Sequence, residues 1–145
     1  AAQGHTAAQY ALGRMYYYGQ GVKQSGQDAL QWFRKAAEKG SADAQFALGV
    51  MYQFGKGVEQ DVQQAAKWYR SAAESGLAAA QYALGAMYRL GQGIAKDSEE
   101  GFRWLQKAAD QQYKPAVQTL AIIQAGGPDV EVKIQEIQNS LPGTF

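Results

Sequence analysis

The chain predicts an all-α solenoid of repeated helix pairs. A six-residue string recurs at a fixed spacing, large side chains recur at the same spacing, and glycine pairs punctuate each copy. Ala8-Gln9-Tyr10-Ala11-Leu12-Gly13 returns as Ala44-Gln45-Phe46-Ala47-Leu48-Gly49 and again as Ala80-Gln81-Tyr82-Ala83-Leu84-Gly85, 36 residues apart each time. Trp32, Trp68 and Trp104 keep this period, as do Met15, Met51 and Met87, and Tyr16, Tyr52 and Tyr88. So do the pairs Gly19 and Gly21, Gly55 and Gly57, and Gly91 and Gly93. Self-similarity at a fixed period of this length marks a repeat architecture in which each unit is one supersecondary element.

Each unit reads as two helices. The first begins near Ala7 and ends at Gly19, where glycine accepts the left-handed backbone of a helix end. Ala8, Leu12, Met15 and Tyr16 share one face at helical spacing. The second helix opens on an N-cap with a capping partner three residues on: Ser25 with Asp28, Asp61 with Gln64, Asp97 with Glu100. Ala29, Trp32, Phe33, Ala36 and Ala37 then form a buried stripe, with the tryptophan expected to fill the gap between units. Gly40 and Gly76 stop this helix, whereas the third copy has Gln112 there, followed by Pro115. One helix pair cannot bury both of its faces, so the units must stack and stabilise one another.

The repeats are placed at about residues 6–41, 42–77 and 78–113, within a single domain over 1–145. Ala1 to Gly4 aligns with Ala37 to Gly40, the tail of a second helix, so the chain reads as part of a longer array starting in mid-repeat. Residues 114–125 match a fourth first helix, with Ala116, Leu120 and Ile123 in core positions. Gly126-Gly127-Pro128 breaks the pattern. Val130, Ile134, Ile137 and Leu141 then share a helical face, which predicts a capping helix over about 129–141, although Val130 to Ile134 also alternates like a strand.

Composition excludes several classes. The net charge is +1 with no basic run, which argues against nucleic acid as partner. There is no cysteine, so disulfide and thiolate-metal frameworks are ruled out. No apolar run approaches the ~18 residues of a membrane span. His5 is the one histidine and reads as an exposed turn residue. No nucleophile–histidine pair or metal-ligand cluster is visible, so no catalytic residue, metal or cofactor is expected. Gly19-Gln20-Gly21 lacks the third glycine and preceding strand of a phosphate loop and reads as a helix-linking turn. Arg34, Lys35, Glu38 and Lys39 read as a solvated outer face.

The units resemble Sel1-like repeats, relatives of tetratricopeptide repeats, over roughly residues 6 to 125. In the middle copy the resemblance is carried by Ala44-Gln45, Leu48-Gly49, Met51-Tyr52, Gly55-Lys56-Gly57-Val58, Ala65, Trp68-Tyr69 and Ala72-Ala73. The leading tryptophan of tetratricopeptide repeats is Gln9, Gln45 and Gln81 here. The resemblance implies a right-handed superhelix with first helices lining a concave groove. It also implies a non-enzymatic adaptor that holds a protein or peptide, often in bacterial envelope, secretion or signalling systems, with a periplasmic or secreted location favoured. The alternative is an envelope protein that binds peptidoglycan or another glycan, since aromatics stack on sugars too.

Comparing the copies with one another locates the candidate groove. Opposite the Ala8–Leu12–Met15 face, the first copy presents Tyr10, Arg14 and Tyr17, with Tyr18 at the flank. The second presents Phe46, Val50, Gln53 and Phe54, and the third Tyr82, Ala86, Arg89 and Leu90. The partial fourth unit presents Gln118 and Ile122. Aromatic residues and arginine are enriched at binding hot spots. The competing reading packs Tyr10, Phe46 and Tyr82 between neighbouring first helices and puts Tyr18, Phe54 and Leu90 in the core. Arg14, Tyr17, Gln53 and Arg89 vary between copies and are expected to be exposed in the groove. The surface around Ala8, Leu12 and Met15 ends the array and could pair with another copy.

Overall fold

The glycines and N-cap residues divide the chain into helix pairs. The computed structural model describes residues 2–140, and among them places eight helices. They are α1 (Ala2–Tyr18), α2 (Gly26–Glu38), α3 (Ala42–Phe54), α4 (Val62–Glu74), α5 (Ala78–Leu90), α6 (Ser98–Asp110), α7 (Lys114–Ala125) and α8 (Val130–Asn139). Helices α1 to α7 each pack on the next, giving three helix hairpins and the first helix of a fourth, the architecture of an α/α solenoid.

The second helices start where expected. Ser25 Oγ accepts the Asp28 amide at 3.2 Å, Asp61 Oδ1 accepts those of Gln63 and Gln64 at 3.1 Å, and Asp97 Oδ1 accepts that of Glu100 at 3.1 Å. The return half of the capping box is replaced. The amides of Ser25, Asp61 and Asp97 donate to the carbonyls of Tyr16, Tyr52 and Tyr88 at 2.9, 2.8 and 2.8 Å. Those carbonyls lie in the last turn of the first helix, where no intrahelical partner remains. One bond thus pins the start of each second helix to the end of the first.

Gly49 shows why the hairpins cross closely. A methyl there would lie 2.5 Å from the Tyr69 ring, so only glycine lets α4 seat its aromatic against α3. Units are joined by other contacts. The Arg34 guanidinium donates to the Tyr52 hydroxyl, and that of Arg70 to the Tyr88 hydroxyl, one unit on. Gln45 and Gln81 donate to the carbonyls of Ala37 and Ala73 at 3.2 and 3.3 Å, tying each first helix to the preceding second helix. Gly57 has φ +74°, and a methyl there would lie 2.4 Å from the backbone of Gly26. Gly93 likewise stands against Val62 of the preceding unit, so the second glycine of the second and third pairs serves unit stacking as well as the turn, while Gly21 meets no other unit.

Core residues follow the two stripes. Ala29, Phe33, Ala36 and Ala37 are buried in α2, and Ala65, Tyr69, Ala72 and Ala73 in α4. Helix α3 lies between α2 and α4, and every residue from Ala44 to Gln53 except Phe46 is buried. Trp68 and Trp104 pack against the clusters of the preceding unit, as expected. Trp104 is buried, whereas Trp32 and Trp68 are half-buried. Lysine ammoniums stand 4.5 Å above Trp32 and 4.4 Å above Trp104.

The N-terminal end differs from the sequence reading, and the C-terminal end follows it. Helix α1 runs unbroken through Gly4 and His5, so His5 is an exposed helical residue. Residues 2–6 continue the hydrogen bonding of α1. Residues 130–139 are helical, which settles the strand alternative, while Leu141 lies outside the described residues. At the third junction Gln112 takes φ +61°, the left-handed backbone that Gly40 and Gly76 supply in the other copies.

Candidate functional site

The first-helix positions singled out above separate into covered and open groups. Tyr10 packs on Phe33 with ring centres 5.7 Å apart, and Phe46 on Tyr69 at 5.6 Å. The partner is the second helix of the same unit rather than a neighbouring first helix. Tyr82 has Leu105 at the corresponding place and meets Tyr113 instead, at 5.8 Å. Tyr10 and Phe46 stay half-buried, while Tyr82 is buried.

Four predicted groove residues are buried. Val50 and Gln53 are 3% and 7% exposed, Tyr82 is 1% and Ala86 0%. Gln53 was expected in the groove, yet its Oε1 accepts the Tyr69 hydroxyl at 2.6 Å inside the α3–α4 pair. Ala86 lies beneath Val130 and Ile134 of α8. Arg89 is likewise engaged: its guanidinium stands 3.4 Å from Glu131. Ile122 packs under α8, and Gln118 is exposed on α7. Of the flanking positions, Phe54 and Leu90 are half-buried, whereas Tyr18 is 37% exposed.

The open part of the row therefore lies on α1 and the start of α3. Arg14 is exposed, with its guanidinium 6.0 Å from the centre of the Tyr10 ring. Tyr17 is half-buried, edge-on to Tyr18 at 4.9 Å and 6.5 Å from Phe33. Beside Tyr10 an open depression of about 470 Å³ is lined by Thr6, Ala7, Lys39, Gly40, Ser41, Ala42 and Asp43 as well. Burial pushes the Tyr10 hydroxyl above the usual tyrosine range, and the Asp43 carboxylate adds to this. Burial also raises Tyr17, with Tyr18 contributing. Both remain neutral hydrogen-bonding groups at physiological pH. The exposed Arg14, the neutral phenols and the nearby Lys39 and Asp43 can bind polar and aromatic surface. They do not make an acid–base or nucleophilic constellation.

Among the described residues no group of three His, Asp or Glu side chains is placed to hold a metal ion. No described helix is long and apolar enough to cross a membrane. Sequence reasoning missed two features. Arg34, assigned to the solvated face, bonds Tyr52, and its period partner Arg70 bonds Tyr88. The signal was present: the third copy has Gln106, and the tyrosine it would meet is Gln124. The covering of Ala86 and Arg89 by α8 has no counterpart in the repeat pattern.

Helix hairpins stacked at a 36-residue period define a helical-repeat solenoid. The Sel1 repeat model matches residues 6–41, 42–77 and 78–113, and the chain belongs to the Sel1 repeat family. A Sel1 repeat protein from Oxalobacter formigenes is 41% identical with a TM-score of 0.73, over 74% of this chain and 44% of its own. A protective antigen present in uropathogenic Escherichia coli strains, displaying an SLR fold, is 34% identical with a TM-score of 0.78, over 95% of this chain and 31% of its own. The match to these two therefore spans less than half of their length. Cysteine-rich protein B of Helicobacter pylori shares the fold at 21% identity and a TM-score of 0.65, over 81% of this chain and 96% of its own. Sel1 repeat proteins generally mediate protein–protein interactions, and the scaffold is generally non-catalytic.

Proposed function

We propose that this chain is an adaptor that holds a protein or peptide along the inner row of α1 and α3. The observation that carries the reading is the accessible cluster of Tyr10, Arg14, Tyr17, Tyr18 and Phe46, beside the depression between α1 and the α2–α3 turn. These side chains combine large contact area with directed polar groups on rigid helices, the composition of interaction hot spots. Arg14 favours an acidic or carbonyl-rich segment, and the phenols favour an extended main chain or a helix flank. A role in bacterial envelope, secretion or signalling systems is part of the same proposal.

The test is affinity capture from the source cells with wild type and a Tyr10→Ala, Arg14→Ala double variant. A protein retained by wild type and lost by the variant, at unchanged helicity, supports the reading. Equal retention by both refutes it. Elution by competing oligosaccharide would favour a glycan ligand instead.

A further inference from the structure

Helix α8 does not continue the stack. A fourth second helix in register with Ser98, the first residue of α6, would begin 36 residues on, near residue 134. The linker instead has four residues, Gly126 to Asp129, and α8 starts at Val130. Both linker glycines take positive φ, +69° and +109°, turning the chain back over α5 and α7. Val130 and Ile134 are buried against Ala86, with Leu90, Ile122 and Ile123 around them. Ile137 packs at the neighbouring cluster of Tyr82, Leu105 and Leu120. Glu131 pairs with Arg89 at 3.4 Å, and Gln92 Nε2 donates to Gln135 Oε1 at 2.7 Å. Val132, Lys133 and Glu136 point outward, with Val132 58% exposed. The arrangement is that of helix-in-groove recognition: aliphatic anchors at i, i+4 and i+7, and an acid at i+1 facing an arginine. A ten-residue helix has little stability alone, so α8 depends on its seat for its structure.

We infer that the seat formed by α5 and α7 is a recognition site for an amphipathic helix of a partner protein, which α8 occupies as a competitor in cis. The partner helix carries the same signature: three aliphatic anchors at i, i+4 and i+7, and an acidic residue at i+1 for Arg89. Binding requires α8 to swing out on Gly126 and Gly127, which uncovers Ala86, Leu90 and Ile122. The inference deepens the adaptor reading by extending the groove from α1 and α3 to the surface that α8 covers. Its test involves neither Arg14 nor Tyr10, so the two can fail separately.

The probe is a fluorescein-labelled peptide of residues 129–140, added to the full chain and followed by anisotropy. Ile134→Asp in the protein places a carboxylate against Ala86 and expels α8. The peptide should bind this variant about tenfold or more tighter than wild type, whose seat is filled for most of the time. A Glu131→Arg peptide should bind the Ile134→Asp protein poorly, and regain affinity when the protein also carries Arg89→Glu. Equal binding to wild type and variant, no binding to either, or no charge-swap rescue would overturn the inference. If Ile134→Asp fails to fold, hydrogen exchange on wild type decides. Excess isotope-labelled peptide should accelerate exchange of residues 130–139 and leave α2 and α4 unchanged, and no acceleration overturns the inference. A wild-type dimer that Ile134→Asp converts to monomer would assign the seat to a second copy's α8, again against a foreign helix.

Discussion

Replacing Gly49 by alanine tests the hairpin packing from which the whole surface is built. Intrinsic helix propensity alone favours the change by about 1 kcal/mol. The new methyl would lie 2.5 Å from Cδ1 and Cε1 of Tyr69 and 3.0 Å from its Cζ. Tyr69 is 2% exposed, so its ring has nowhere to retreat except by parting α3 from α4. Overpacking of this kind costs about 1–3 kcal/mol. Moving the ring also strains the 2.6 Å bond from the Tyr69 hydroxyl to Gln53 Oε1, and a buried polar group left unpaired costs about 1–3 kcal/mol. The packing losses exceed the propensity gain, and we expect a net destabilisation of about 1–5 kcal/mol. Gly4→Ala in α1, with nothing within 4 Å of the new methyl, should be neutral or slightly stabilising. Urea unfolding followed by circular dichroism compares the two. A Gly49→Ala protein as stable as wild type would refute the close-crossing argument.

Three further outcomes follow from contacts between and within units. Arg70→Ala should cost about 1 kcal/mol through its bond to the Tyr88 hydroxyl and the guanidinium 5.5 Å from that ring, and a cycle with Tyr88→Phe should show coupling; additive effects would deny the inter-unit bond. Burial pushes the Tyr82 hydroxyl up to about 12, so the folded state holds its proton where an unfolded tyrosine, near pH 10, has lost it. Stability from this group is complete below pH 10 and falls as pH rises toward 12, by up to about 2–3 kcal/mol, so Tyr82→Phe should flatten the alkaline limb of a stability–pH curve, and an unchanged limb contradicts the assignment. The α1 face on which Ala8 is exposed and Leu12 and Met15 are half-buried is proposed to self-associate. Light scattering across a dilution series should show mass rising with concentration for wild type but not for Leu12→Glu; a wild-type monomer throughout dismisses the contact.

The parts of the fold legible in the sequence are those that repeat. Ser25, Asp61 and Asp97 announced the second helices because an N-cap is a local device that works the same way in every copy. The capping box was misread in its return half, since the N-cap amides go to tyrosine carbonyls of another helix, a tertiary choice no local pattern contains. Periodicity finds a helix face but cannot tell a groove wall from a helix buried on two sides, and so Val50 and Gln53 were expected to be open. The same limit hid the fate of Ala86 and Arg89, which depends on α8, an element outside the period. Arg14 is exposed and Tyr10, Tyr17 and Phe46 stay half-buried, since no described helix lies over α1 and the start of α3 as α8 does over α5.

The most direct measurement of the adaptor claim is site-specific photo-crosslinking in the source cells. A photoreactive residue replaces Arg14 in the proposed binding row and, in a second protein, Lys67 on the exposed face of α4. The account predicts a discrete crosslinked protein from position 14, absent from position 67, and lost when Tyr10→Ala and Tyr17→Ala are added. Crosslinks from position 67 alone, or from position 14 undiminished by those substitutions, would contradict it.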